Sequence, residues 1–569
     1  MKDDIKIEIA DEQTFETGNT LYLSDVIARV KAELNGNQRR DTLSAFNTLG
    51  KRAGVSLEAT PANAKSLRPV LADLNAIRLG VSPKRLANIR SLITQAVARF
   101  GMQRRWIGND IELTEDWRVL LEPVPKPQYK WSLSRLACYC SVKGIAPADV
   151  SAQTLLGLHA ALEADCTVTA PRKILKTTIS VWNRCLKAVP EWPQHKLASP
   201  FKTAAFMFPL TDFPQSFQDD VAAWIKRNTD VDPLNFDGPV HPLRPVTLDG
   251  HVQTFRRLGS ALVHNKVLPM SSITDLSVLA DIDNLKKALG HFVKTVKSDT
   301  TNYPHKMATQ MAAVARHHLK LPEETLKQIK IITQRLAPVG GAIMGKRNRT
   351  RLLQFDDPKA VQLLLNFPQQ EYTRAIKINS AVRRAKGVER ALIVSLLIFT
   401  GLRAKNIRNI HMARNIRRVD NRILLEFEAD DMKTHAEHVV ELPQETIALL
   451  EDYSANHRSF LQGANGPYLF PGQTGGARSY SAIRSAAITS VLKHTGLTVS
   501  PHLYRHIIAK IVAESRPELL VDVSRRLGHK SVNTTFQSYL GTETPAASRR
   551  INKLLERAKT NSGLGEGNE

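Results

Sequence analysis

Between residues 502 and 541 the sequence reads HLYRHIIAKIVAESRPELLVDVSRRLGHKSVNTTFQSYLG, which places His502, Arg505, His506, His529 and Tyr539 within forty positions of a chain that has 17 His and 10 Tyr in all. The residue types are complementary. A guanidinium grips oxyanions with a planar fork, an imidazole carries protons near neutral pH, and a phenol can act as a nucleophile. Two further cations stand upstream in short signatures, Arg403 at the end of TGLR and Lys433 in DMKTHAE. Singly, each of these is an ordinary surface or packing residue; their order along the chain gives them weight together. His502 and His506 also have the i, i+4 spacing of a metal pair, but the glutamate of an H-E-x-x-H motif is missing and Arg505 beside them would repel a cation. No metal site is read from the sequence.

The elements that must hold these residues are mostly helical. ALIVSLLIF at 391–399 is far short of the ~20 apolar residues that span a membrane and reads as a buried helix. NRILLEFEAD and HVVELP flank DMKTHAE and read as a β-hairpin with Lys433 between its strands. Three segments begin with a proline and basic residues and continue with helical apolar spacing: SPKRLANIRSLITQAVARF from Ser82, APRKILKTTISVWNRCL from Ala170 and YPHKMATQMAAVARHHL from Tyr303. In the first, Ser82 is a candidate N-cap, Pro83 suits the first helical position, and Leu86, Ile89, Ile93, Ala96, Val97 and Phe100 form one face. Each has helical sequence upstream, so three related helical units are expected. The Pro- and Phe-rich stretch between the second and third is a packed connector.

With 79 Lys and Arg against 54 Asp and Glu, a formal charge of +25, the partner class is a polyanion, with nucleic acid foremost. The cations that open the three helices, Lys84, Arg85, Arg172, Lys173 and Lys306, are candidate DNA contacts, as are Lys346, Arg347, Arg349 and Arg351 in the run GKRNRTR. Cys138, Cys140, Cys166 and Cys185 lack C-x-x-C spacing and are expected as reduced core thiols. The acidic N-terminus MKDDIKIEIADEQ has no apolar segment of the signal-peptide kind. The expectation is a cytoplasmic, nucleoid-associated protein with no membrane contact.

The ordered set TGLR, MKT in a hairpin, HLYRH, LGHKSVNTT and a following tyrosine, with YLFPG at 468–472, resembles the tyrosine recombinase (phage integrase) family over the last ~200 residues. The resemblance implies a mainly α fold with a small β-sheet in the catalytic domain, preceded by helical core-binding-like units that help to clamp duplex DNA. The domains expected on this basis are helical units at 1–115 and 116–205, a core-binding-like domain at 206–340, a basic linker at 341–365, and the catalytic domain with its tail helix at 366–569.

By the same resemblance, Tyr539 is the nucleophile that forms a 3′-phosphotyrosyl link. Arg403, Arg505 and His529 hold the phosphate, Lys433 is the general acid for the 5′ oxygen, and His502 assists proton transfer. No cofactor is implied. The implied partner is double-stranded DNA, bound as a homo-tetramer on two sites, with or without sister recombinases, and the implied work is integration, excision or transposition of a mobile element. Two other outcomes remain open at this point: an inactive DNA-binding accessory homologue, and a type IB topoisomerase or telomere resolvase. One departure stands out. The family usually carries an acid three positions after the first arginine, and this chain has Asn406. An amide can still accept a hydrogen bond, so Asn406→Asp is expected to retain or increase cleavage and Asn406→Leu to reduce it. The tail residues Ile551, Leu554, Leu555 and Ala558 share one face, either for packing in cis or for docking on a neighbouring protomer.

Overall fold

The structure, a computed structural model, describes residues 20–101, 111–168, 170–201, 206–231, 239–295, 302–338, 344–529, 531, 551–552 and 554–556. Tyr539 and Ala558 lie outside the described residues. The chain forms two compact units, Met1–Lys202 with Leu492–Gly496, and Thr203–Val491 with Leu497–Glu569. The fold is mainly helical with one small antiparallel sheet, in agreement with the class implied by the sequence.

The first unit holds two helical cores. In one, helix Pro83–Phe100 starts as its sequence directs: the Ser82 hydroxyl accepts the Arg85 N–H at 3.1 Å, Pro83 occupies the first turn, and the buried face consists of Leu86, Ile89, Ile93, Ala96, Val97 and Phe100. Ser82 thus satisfies a donor that a helix start would otherwise leave unpaired. The other core is built on Trp182, whose ring centroid lies 6.3 Å from that of Trp117 and 5.0 Å from that of Trp192. Cys140, Cys166 and Cys185 are buried, and burial pushes the Cys140 thiol up to about 12. Trp192 and Leu197 are buried here, so the first part of the proline-rich connector is packed down.

In the second unit, helices between Gln215 and Arg335 enclose a core of Phe217, Trp224, Phe255, Leu258 and Met311. A larger core begins at Met344 and centres on helix Ala381–Thr400. That helix is buried almost all round between Val388 and Ile398, the pattern of a central core helix and not of a surface one. The sheet has β1 (Ile416–Val419), β2 (Arg422–Phe427) and β3 (His438–Glu441) in that order. The pair β2–β3 is the hairpin expected from the sequence, with Phe427 opposite His438. The edge strand β1 extends the hairpin to a three-stranded sheet.

The segment read as a basic linker is folded. Lys346–Leu352 is a helix, and Met344, Leu352, Phe355 and Leu364 enter the large core. The cationic run hid this, because the apolar anchors flank the run. A buried lysine then ties the segment to the helix Pro501–Ser515: Lys510, 2 % exposed, pairs with Asp356 at 2.6 Å and with Glu514. Among the described residues no helix is long and apolar enough to cross a membrane.

Candidate active site

TGLR is a helix stop followed by a presentation. The Thr400 hydroxyl donates to Leu396 O at 2.5 Å and accepts the Leu402 N–H at 3.2 Å, closing helix Ala381–Thr400. Gly401 then takes φ +65°, the left-handed conformation that ends helices at low cost only for glycine. Leu402 is buried, and Arg403 is the residue before helix Ala404–Arg408. A Cβ at Gly401 would stand 2.5 Å from Leu527 Cδ2. Gly401→Ala is therefore expected to lose about 1–3 kcal/mol of stability, read as a lower urea midpoint, and to slow any reaction at this site.

Helix Pro501–Ser515 brings in Arg505, which is 4 % exposed. Its Nη1 donates to Gly401 O at 2.5 Å, and its Nη2 donates to Leu527 O at 2.5 Å and to His529 Nε2 at 3.0 Å. One guanidinium thus joins TGLR, HLYRH and LGH. Gly528, at φ +61°, makes the turn that returns His529 to it. Arg403 differs in kind. Among the described residues its Nη1 is buried with no hydrogen-bond partner, and burial lowers its pKa.

Electrostatics shows which other groups converge. His529 is held down to about 4 by burial and by the charges of Arg505 and Arg403, with His502 adding to them. His506 is lowered to about 4 by burial, then by His502, Arg505 and His529. His502 is lowered by the packing of its ring, then by Arg505, Arg403 and Lys433; its ring meets that of His506 edge-on at 4.7 Å. Arg403, Lys433, His502, Arg505 and His529 therefore share one cationic site of neutral imidazoles. Below pH 6.5 the unfolded chain binds protons at His506 and His529 that the folded chain refuses until about pH 4. Stability should fall as pH drops through that window. The urea midpoint at pH 5 should lie below that at pH 7; equal midpoints would contradict the burial of these rings as neutral groups.

Residues 365–544 match the phage integrase family. The C-terminal domain of this chain belongs to that family, the tyrosine recombinases. No curated protein matches the chain. Among solved structures, XerH site-specific recombinase bound to difH substrate in a pre-cleavage complex is 15% identical and covers 51% of this chain and 92% of its own, with a TM-score of 0.28. XerH bound to a palindromic difH substrate in a post-cleavage complex is 14% identical over 56% and 97%, with a TM-score of 0.28. XerA recombinase is 15% identical over 53% and 98%, with a TM-score of 0.24.

The recombinase domain departs from expectation at Asn406. This residue is 6 % exposed, and its Nδ2 donates to Asp431 O at 3.1 Å and to Met432 Sδ at 3.2 Å. Both neighbours are acceptors, so the position needs a donor. An aspartate would turn lone pairs toward lone pairs. Asn406→Asp is now expected to cost about 1–3 kcal/mol and to slow cleavage by loosening the Lys433 hairpin. Unchanged cleavage by the aspartate variant would show that the donor is dispensable.

Sequence reasoning also missed His438. Burial lowers its pKa, and the Arg505 charge lowers it further. The burial alternation of β3 puts His438 and Val440 inward, but an inward histidine on a strand reads equally as core. Of the candidate DNA contacts, Arg347, Arg349 and Arg351 ride on helix Lys346–Leu352 in the same unit as the site, and the charges of Arg347 and Arg484 help to lower Arg351 after its burial. Lys346 opens that helix. Lys306 is exposed at the start of helix Tyr303–His317. In the first unit, Lys84, Arg172 and Lys173 are exposed, while Arg85 donates to Ser44 Oγ at 2.8 Å. Trp131, 69% exposed, lines a pocket with Arg135 and Lys173.

Proposed function

We propose that this recombinase-family protein is a site-specific enzyme that cuts and rejoins duplex DNA through a 3′-phosphotyrosyl intermediate, for integration, excision or transposition of a mobile element. The observation that carries this reading is the buried Arg403 Nη1, which has no hydrogen-bond partner among the described residues, near the anchored Arg505. A buried cationic donor without an acceptor is costly, and a phosphodiester oxygen would complete it. In this reading Tyr539 Oη attacks the phosphorus and displaces the 5′ oxygen. Arg403, Arg505 and His529 stabilise the charge that develops on the non-bridging oxygens. Lys433 supplies a proton to the departing 5′ oxygen, and His502 assists transfer from the tyrosine. The bond energy is kept in the phosphotyrosine, so a second strand's 5′ hydroxyl can reverse the step with no nucleotide cofactor.

Duplex DNA is the substrate, gripped by the basic helix Lys346–Leu352, by Lys306, and by Lys84, Arg85, Arg172 and Lys173 of the first unit. The working assembly is a homo-tetramer on two sites, with or without sister recombinases, in the cytoplasm at the nucleoid. An apolar groove with Phe399, Val439, Ile508 and Val512 on its walls supports such an assembly. The tail leaves Ile551, Leu554 and Leu555 at least half exposed, which is the complementary feature.

The test places two copies of the protein's own site, taken from DNA flanking its gene, on one supercoiled plasmid. Strand exchange in buffer with chelator and no ATP is expected. Relaxation without exchange would point to a type IB topoisomerase, and binding without cleavage to an accessory homologue.

A further inference from the structure

The hairpin that carries Lys433 is held from outside its own sheet. Arg244, the residue before helix Pro245–His264, donates through Nη2 to Met432 O at 2.7 Å and stands 3.5 Å from Asp430 O and 3.3 Å from His435 Nδ1. Asn406 in turn donates to Asp431 O at 3.1 Å. Three successive carbonyls, those of Asp430, Asp431 and Met432, therefore each face a side-chain donor, and Lys433 is the next residue. The hairpin supplies only light bonding of its own here, from Asp431 N–H to Glu428 O, Met432 N–H to Ala429 O and His435 N–H to Met432 O. His435 sits at φ +51°, a conformation uncommon in residues other than glycine.

The mount of Arg244 is stiff. Pro245 follows it and keeps it extended, at φ −64° and ψ 145°. The Leu243 N–H is bound to Asn228 O at 2.8 Å, and the Arg244 carbonyl accepts from Thr247 N–H at 2.8 Å. Leu243 itself packs on the core built around Phe217 and Phe255. The guanidinium is thus fixed to the helical region that precedes the catalytic domain, while its donors end on the catalytic hairpin.

We propose that Arg244 is a positioning residue for Lys433, one that sets the general acid by clasping the hairpin backbone to the preceding helical region. The proposal rests on the recombinase reading above. Lys433 Nζ must stand within hydrogen-bond reach of the departing 5′ oxygen, and displacements near 1 Å can cost up to about 10²-fold. Arginine suits the role because its fork spans more than one carbonyl, where a lysine reaches one at a time.

The test uses the full chain with Arg244→Ala and Arg244→Lys. First, hydrogen exchange in the free protein should speed up at the amides of Asp431, Met432 and His435 in Arg244→Ala, and less in Arg244→Lys. Second, cleavage of nicked duplexes made from DNA flanking the gene should slow by roughly 10–100-fold in Arg244→Ala, with unchanged DNA affinity. Third, replacing the bridging 5′ oxygen with sulfur, which leaves without needing a proton, should restore the rate of Arg244→Ala as it restores that of Lys433→Ala. Unchanged exchange, or an equal defect on oxygen and sulfur substrates, overturns the proposal. So does a loss of affinity with a salt slope reduced by about one, which would make Arg244 a phosphate contact. Faster exchange in a protein whose parent cleaves nothing would retain the clasp and remove the reading of the reaction, so the two failures are distinct.

Discussion

Arg505→Ala should abolish most cleavage and weaken the fold at once. The guanidinium ties Gly401 O, Leu527 O and His529 Nε2 together from a 4 % exposed position. Without it, two buried carbonyls lose charged donors, at about 1–3 kcal/mol for each group left unsatisfied, and the loop bearing His529 loses its anchor. The cleavage rate should fall by at least roughly 10²–10³-fold, the loss typical of one charge-stabilising donor, and the urea midpoint should fall with it. Arg505→Lys should recover little of either, because one ammonium cannot serve both carbonyls in the geometry of the fork. A stable Arg505→Ala protein would mean that these carbonyls find other partners.

Arg403→Ala should give the opposite combination. Its Nη1 is buried without an acceptor among the described residues, so its removal relieves a desolvated cation instead of breaking a network. Stability should be unchanged or higher. Cleavage should still fall by roughly 10²–10³-fold, and the slope of log affinity against log salt should shrink by about one phosphate contact. Comparing the two variants by urea denaturation and by cleavage separates the arginine that builds the site from the arginine that waits for the phosphate. Equal destabilisation by both would remove that distinction.

The parts of this arrangement legible in the sequence are those governed by local grammar. Arg403 stands out at the end of the short TGLR signature, and Ser82 with Pro83 states a helix start. The hairpin strands β2 and β3 alternate clearly enough to be read. What escaped depends on distance or on direction. β1 is four residues, IRRV, two of them arginines, so its membership shows only once β2 lies beside it. In GKRNRTR the charges dominate the reading, while the packing is done by Met344 and Leu352 at its edges. Asn406 could be seen to lack a charge, but whether it gives or takes a hydrogen bond depends on Asp431, 25 positions away. Arg244 reaches a carbonyl 188 positions away, and no local pattern announces it.

In the proposed reaction this cationic site serves phosphoryl transfer to Tyr539. The most direct measurement offers the full chain a nicked duplex bearing its own site, so that the short 5′-hydroxyl fragment diffuses away after cutting and religation stops. The detergent-resistant adduct is then digested and mapped. The expected product is a single peptide joined through Tyr539 to a 3′ phosphate, formed equally well in chelator, and absent from a Tyr539→Phe protein that binds the duplex as tightly as the parent. An adduct that persists in Tyr539→Phe, a linkage to a 5′ phosphate, or cleavage that requires a divalent metal would contradict it.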